Sequence, residues 1–196
     1  ENRRTLRTMP PKAIVFPVYP PQPPRQNLNG AWRLDIARSD SIRAYLSSMA
    51  CTETAIEAME KAEKEVETIH VINLDPSKYT ITKKSRVNNF TETYRLNQRV
   101  VTTIAITKDG SHTKDKTTYV TADDTLSSLR VKSTMPTTNG IAEVVDNRRL
   151  ENGGLYQELV LTNISTGASC VTKRYWHAIP MPPPDVADVA GGVEED

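Results

Sequence analysis

Apolar and polar positions alternate in short runs from Val66 to Ala178, and threonine is frequent among the polar ones. A period of two is typical of strands with one buried face. The pattern predicts nine strands, over residues 66–74, 78–87, 90–97, 100–107, 115–121, 125–134, 140–150, 154–163 and 169–178. Asp-Gly, Asn-Gly and Thr-Gly pairs mark several of the intervening turns. Short turns at such regular spacing indicate an antiparallel meander, and a long meander usually closes into a barrel that has no exposed edges.

The segment before this region predicts one further strand and a pair of helices. Trp32, Leu34 and Ile36 alternate in the run NGAWRLDIAR, so we expect all three on the buried face of a first strand. Apolar residues then recur at helical spacing within residues 39–66, where Ser39 or Asp40 and then Thr52 can cap two short helices. The predicted fold is therefore mainly β: a ten-stranded antiparallel up-and-down barrel with a two-helix cap after the first strand.

Proline-rich tails flank the predicted barrel, which spans residues 28–178. Seven of the 13 prolines lie in residues 10–24, so residues 1–27 are predicted to be an extended arm without helix or central strand. Residues 179–196 form a second tail, first proline-rich and then acidic. Composition alone favours disordered linkers for both. The alternative is that arm and tail bind a protein partner, with the arm lying extended in a groove of that partner. The arm residues expected to make most of these contacts are Ile14, Phe16 and Tyr19.

Charge and cysteine content restrict the class of function. The chain has 25 basic and 24 acidic residues, a net charge of +1, which gives no electrostatic reason to expect nucleic acid or an anionic membrane surface as a partner. No apolar run approaches the ~20 residues of a transmembrane helix. The two cysteines are predicted to be free thiols. The chain begins at Glu1 rather than Met, which fits a mature form that has lost a targeting segment; the compartment, an organelle or the exterior, stays open.

No catalytic motif stands out. The sequence contains no nucleophile elbow, no phosphate-binding loop and no Ser-His-Asp set in a recognisable context, so we predict a protein that is not an enzyme and needs no cofactor. His70, His112 and His177 show no ligand spacing with one another, and no metal site is predicted. The basic run Lys83-Lys84-Ser85-Arg86 is interpreted as a solvated strand face.

Three short motifs carry a resemblance to a known family. Leu28-Asn29-Gly30-Ala31-Trp32 is similar to an F-x-G-x-W opening, Arg148 to Leu155 (RRLENGGL) to an R-E-L-x-D-G-x-L run, and Thr172-Lys173-Arg174-Tyr175 to a final-strand T-R-x-Y. Together with the order of elements, they make residues 28–178 resemble the intracellular fatty-acid-binding proteins of the calycin superfamily, which are lipocalin-like β-barrels.

The resemblance implies a ligand site inside the barrel. In that family an arginine of the late-strand run and an arginine–tyrosine pair of the last strand bind the ligand carboxylate. The matching positions here are Arg148, Lys173 and Tyr175, although a lysine cannot form the bidentate fork of an arginine. If the register of the last strand differs by one residue, Arg174 and Trp176 face inward instead. Trp32 is expected to plug one end of the barrel, packed over a late-strand arginine.

Two functions follow from these features. The first is a non-enzymatic binding protein that holds a small hydrophobic anion, a fatty acid or related lipid, inside the barrel. The second is a structural or interaction subunit of a larger assembly, with a reduced cavity and partner binding through the arm and tail. The family resemblance favours the first, whereas the tails and the modest apolar lining of the strands favour the second.

Overall fold

The computed structural model describes residues 16–86, 89–105, 113–137 and 140–182. These ranges contain ten strands and two helices. In chain order the elements are β1 (Gly30–Leu34), α1 (Arg43–Ser48), α2 (Glu53–Glu65), β2 (Ile69–Leu74), β3 (Lys78–Lys84), β4 (Asn89–Arg95), β5 (Arg99–Ala105), β6 (Thr113–Ala122), β7 (Ser128–Thr137), β8 (Gly140–Glu151), β9 (Gly154–Asn163) and β10 (Ser169–Ile179).

The ten strands form one antiparallel sheet that curls into a nearly closed barrel. Each strand pairs with its neighbour in sequence except β4 and β5, and β1 pairs with both β2 and β10. The barrel therefore has its one gap between β4 and β5 among the described strands. The predicted ten-stranded barrel with a two-helix cap is confirmed. Neither described helix is long and apolar enough to span a membrane.

Ile36 departs from the prediction for the first strand. Trp32 and Leu34 are buried as expected, but β1 ends at Leu34 and Ile36 lies 37% exposed in the turn that follows. Alternation in the sequence continued past the point where the chain leaves the sheet, because the turn toward α1 begins there. The predicted burial of Ile36 is therefore wrong.

The helix cap is bound to the barrel through the segment that precedes α1. Ser39 and Asp40, suggested as caps, instead pair with β10: the Ser39 Oγ accepts the N–H of Tyr175 at 2.9 Å, and the Asp40 carboxylate accepts the N–H of Lys173 at 2.8 Å. The predicted cap of the second helix is confirmed, since the hydroxyl of Thr52 accepts the N–H of Ala55 at 3.4 Å.

Trp32 fills the end of the barrel opposite the helices. It is fully buried, and its Nε1–H donates to the carbonyl of Leu28 at 2.8 Å. The cation over its ring comes from the arm rather than from a late strand: the Arg25 guanidinium lies 5.2 Å from the ring centroid and donates to the carbonyl of Ile179 at 3.1 Å. A Cβ on Gly30 would come within 1.9 Å of that guanidinium, so the glycine makes room for it.

The described part of the arm lies against its own barrel. The hydroxyl of Tyr19 donates to the Glu67 carboxylate at 3.0 Å, and Arg33 donates to the carbonyl of Pro17 at 3.0 Å. These contacts differ from the disordered linker that composition alone favours for the arm. Partner binding through Phe16 and Tyr19 stays a prediction. Ile14 and residues 183–196 lie outside the described residues.

Candidate ligand cavity

A cavity of about 320 Å³ lies inside the barrel beneath the two helices. One part of its wall is apolar, and it comes from the helices and from inward positions of β9 and β10. These side chains are Ile42, Tyr45, Leu46, Met59, Ala62, Leu159 and Trp176. The rest of the wall carries charged and hydrogen-bonding groups: Glu63, Thr68, His70, Lys83, Ser85, Asp146, Arg148, Gln157 and Arg174. Apolar lining with a few convergent polar groups is typical of small-molecule sites.

Arg148, Gln157 and Arg174 form a row across three neighbouring strands. Arg148 of β8 is paired with Gln157 of β9, and Gln157 is paired with Arg174 of β10. Directly paired residues share a face of the sheet, so all three point into the barrel. The two arginines are 2% and 4% exposed. The predicted inward position of Arg148 is therefore observed, whereas its ligand-binding role stays a prediction.

Lys173 and Tyr175 lie on the outer face of β10, which corrects their expected position. Lys173 is exposed. The ring of Tyr175 packs outside the barrel, 5.2 Å from that of Tyr156 and 4.6 Å from the guanidinium of Arg38. A shift of one residue in strand register exchanges the two faces. The inward pair of the strand is consequently Arg174 and Trp176, the other alternative that the sequence leaves open.

Arg148 already has a partner for each of its nitrogens. Its Nε lies 3.1 Å from both carboxylate oxygens of Asp146, and its Nη2 donates to Asp146 Oδ2 at 2.8 Å. Its Nη1 lies 3.2 Å from Nδ1 of His70. Burial opposes the charge of Arg148, but Asp146 together with Tyr79 and Glu92 outweighs burial and raises the pKa of the guanidinium. Asp146 also accepts from Gln157 at 2.9 Å, so its own charge is well satisfied.

His70 is the neutral member of this cluster. Its ring stacks on Trp176 at 4.1 Å between centroids. Burial lowers its pKa well below 6.5, and the charges of Arg148 and Lys83 lower it further. A neutral ring can accept the Arg148 N–H at Nδ1 while its proton stays on Nε2.

A second charge cluster reaches across the gap between β4 and β5. The Glu92 carboxylate of β4 lies 3.2 Å from Nζ of Lys83 and 3.6 Å from Nζ of Lys116, and it accepts the hydroxyl of Tyr94 at 2.8 Å. Burial raises the pKa of Glu92, but Lys83 and the other donors outweigh it, and the pKa falls below its usual value. The interpretation of Lys83 as part of a solvated face is wrong, because its register partner is the inward His70.

Arg174 connects the barrel wall to the helix cap. Its Nη2 donates to Glu63 of α2 at 2.5 Å, and its Nη1 donates to the carbonyl of Asp40 at 3.0 Å. The arginine side chain is 5% exposed and that of Glu63 is 24% exposed. This ion pair therefore lies at the boundary between the cavity and the surface.

The interior carboxylates are the functional residues that sequence reasoning missed. Asp146 carried a usable signal, since it stands two positions before Arg148 and must share its face of the strand. Glu63 carried a weaker signal, since it lies on the same helix face as Ile56 and Met59. Its partner Arg174 is 111 positions away, so the ion pair itself could not be predicted from the sequence.

A second depression, of about 380 Å³, lies outside the barrel between the arm and β1. The chain segments 16–19 and 33–36 line it, together with Glu67, Thr68 and His177. It is an open groove that the arm itself partly fills. The internal cavity, with its enclosed arginines, is the better candidate for a small ligand.

Several solved structures with the same architecture are proteins that bind or transport lipids. A REP1-NXSQ fatty acid transporter superposes with a TM-score of 0.56 at 14% identity, over 79% of this chain and 98% of that one. Apo lipid binding protein 8 of Caenorhabditis elegans superposes with a TM-score of 0.55 at 19% identity, over 76% of this chain and 94% of that one. The Schistosoma mansoni fatty acid binding protein in complex with arachidonic acid superposes with a TM-score of 0.56 at 16% identity, over 77% of this chain and 95% of that one. No protein-family model and no curated protein sequence matches the chain. The protein thus has the barrel fold of fatty-acid-binding proteins.

Proposed function

We propose that this protein binds a small hydrophobic anion, such as a fatty acid or related lipid, in the cavity beneath its helices, and performs no reaction on it. The observation that supports this most directly is the composition of the cavity wall. Apolar side chains of the helix cap face two buried guanidinium groups across about 320 Å³. A buried carboxylate needs charged donors, because its desolvation is otherwise costly.

The charge balance of the interior also favours an anion. The two charge clusters and the Glu63–Arg174 ion pair contain four cationic side chains and three carboxylates. The cations are Lys83, Lys116, Arg148 and Arg174, and the carboxylates are Glu63, Glu92 and Asp146. His70 is neutral, so these groups carry an excess of one positive charge. A ligand with a single negative charge would balance the interior, whereas a neutral lipid would leave the excess in place. The fatty acid transporter and the fatty acid binding protein among the similar structures support this ligand class.

The size of the cavity suggests the first probe. At about 30 Å³ for each water-sized group, it holds roughly ten non-hydrogen atoms. Decanoate is therefore a suitable acid, and decan-1-ol is its neutral counterpart. Titration calorimetry of the intact protein should show decanoate binding more tightly than the alcohol, because only the acid can pair with the cavity's cations.

A substitution of Arg174 tests the anchor. Arg174→Met should weaken decanoate binding about tenfold to a hundredfold, the equivalent of one charge-assisted hydrogen bond, and should not weaken binding of the alcohol. Arg130→Met, on the exposed outer face of β7, is the matched control and should bind like the wild type. Equal affinity for acid and alcohol would contradict the anionic anchor. Failure of both decanoate and a longer acid, oleate, to bind would contradict the proposed function itself.

A further inference from the structure

Glu63 occupies the position that a ligand carboxylate would take on Arg174. Its oxygen lies 2.5 Å from Nη2 of that arginine, in the geometry of a charge-assisted hydrogen bond. Arg174 is nearly inaccessible to water, so this carboxylate supplies its principal counter-charge. An anionic ligand that takes this place on Arg174 must displace Glu63.

The same ion pair separates two spaces. The internal cavity lies on one side, and on the other is a surface depression of about 150 Å³ between α2 and the loop after β1. Among the described residues, Glu63 and Arg174 are the two that line both spaces. Breaking their contact would join the two spaces beneath α2.

Helix α2 is attached in a way that permits this exchange. It packs on α1, whereas α1 packs on β9 and β10. Its ion pairs to the barrel among the described residues are Glu63 with Arg174 and Glu65 with Arg86, near its C-terminal end. By contrast, Arg148 is held by Asp146 on its own rigid strand. Arg174 is therefore the arginine whose partner lies on a separate element, outside the sheet.

We propose that Glu63 is a built-in competitor and gate: it holds Arg174 in the unliganded protein and keeps the passage beneath α2 closed, and an incoming carboxylate replaces it. This inference rests on the proposed function and adds its regulation. A closed state that holds nine-tenths of the molecules lowers apparent affinity about tenfold, since only the open state accepts ligand. The closed pair thus selects for ligands whose charge can replace that of Glu63.

Glu63→Gln tests the gate, because glutamine keeps the shape but loses the negative charge. We expect decanoate to bind the variant about tenfold more tightly than the wild type, with a faster association rate by stopped-flow fluorescence. Glu57→Gln, the same substitution at an exposed position of the same helix, should leave both quantities unchanged. Circular dichroism and thermal unfolding verify that each variant is folded.

The outcomes separate the gate from the binding function. If Glu63→Gln binds decanoate as the wild type does, or more weakly, the gate is wrong and the binding function stands. A loss of thermal stability with unchanged affinity would assign Glu63 a purely structural role and also overturn the gate. If neither wild type nor variant binds decanoate or oleate, the proposed function fails and the gate fails with it.

Discussion

The two ends of the barrel are stabilised by different kinds of interaction. At the end away from the helices, Trp32, Leu74 and Leu155 are essentially fully buried among other apolar side chains. Beneath the helices, the buried groups include Arg148 and Arg174, each neutralised by a carboxylate. Apolar burial stabilises a fold without needing a specific partner, whereas a buried charge is tolerated only while its partner stays in place. The first end is therefore suited to stability, and the second to an exchange of partners.

The largest effect is expected at the apolar end. Trp32→Ala removes a fully buried indole and its hydrogen bond to Leu28, and should lower the free energy of unfolding by about 3–5 kcal/mol in urea titrations. Trp32→Phe keeps most of the volume and should cost distinctly less. If Trp32→Ala lowers the free energy of unfolding by less than Trp32→Phe does, the apolar end does not contribute the stability that we assign to it.

Sequence reasoning succeeded at the apolar end for a physical reason. A two-residue alternation and the Gly30-x-Trp32 motif are local, so they predicted β1 and its plug without knowledge of other strands. The facing of β10 is not local, because a shift of one residue exchanges Arg174 for Lys173 inside the barrel. The hydrogen bonds of Ser39 and Asp40 to β10 accompany the observed register, and neither follows from periodicity.

The partners of the buried arginines were out of reach for a related reason. Asp146 and Glu63 are ordinary acidic residues in the sequence, and only the closed barrel brings them to Arg148 and Arg174. Similarly, Arg25 replaces the expected late-strand arginine over Trp32, because a folded-back arm can supply the same charge. Strand count and order were therefore predictable, whereas the pairing of charges inside was not.

A smaller effect is expected at the end beneath the helices, where buried His70 should make the free energy of unfolding depend on pH. The folded-state pKa of His70 lies well below its ordinary value of 6.5, so the unfolded chain binds more protons than the folded one below that pH. The contribution of His70 is therefore fully present above pH 6.5 and is lost as the pH falls. The free energy of unfolding should therefore decrease as the pH falls from 6.5 to 5.

The measurement compares wild type with His70→Gln by urea unfolding over that pH range. Glutamine does not titrate, so the variant should show a shallower decrease of the free energy of unfolding as the pH falls. The remaining titratable groups are the same in both proteins. The difference between the two curves therefore isolates the contribution of His70. Parallel curves would show that His70 is protonated as readily in the folded protein as in the unfolded chain. The assignment of His70 as a buried, neutral ring would then be wrong.

The smallest effect is expected where the arm crosses the outer face of the barrel. The Tyr19 hydroxyl donates to the Glu67 carboxylate, which also accepts from Nη1 of Arg33 at 3.1 Å. The Arg33 guanidinium lies 5.3 Å from the centroid of the Tyr19 ring. Tyr19→Phe removes the hydrogen bond and keeps the ring, so it should cost about 0.5–1 kcal/mol in the free energy of unfolding. Glu67→Gln in the Tyr19→Phe background should then cost less than in the wild type, because the two groups interact. Additive losses would mean that the contact contributes nothing to stability. The segment would then be held through Arg25 at the apolar end, and Tyr19 would be available to a partner.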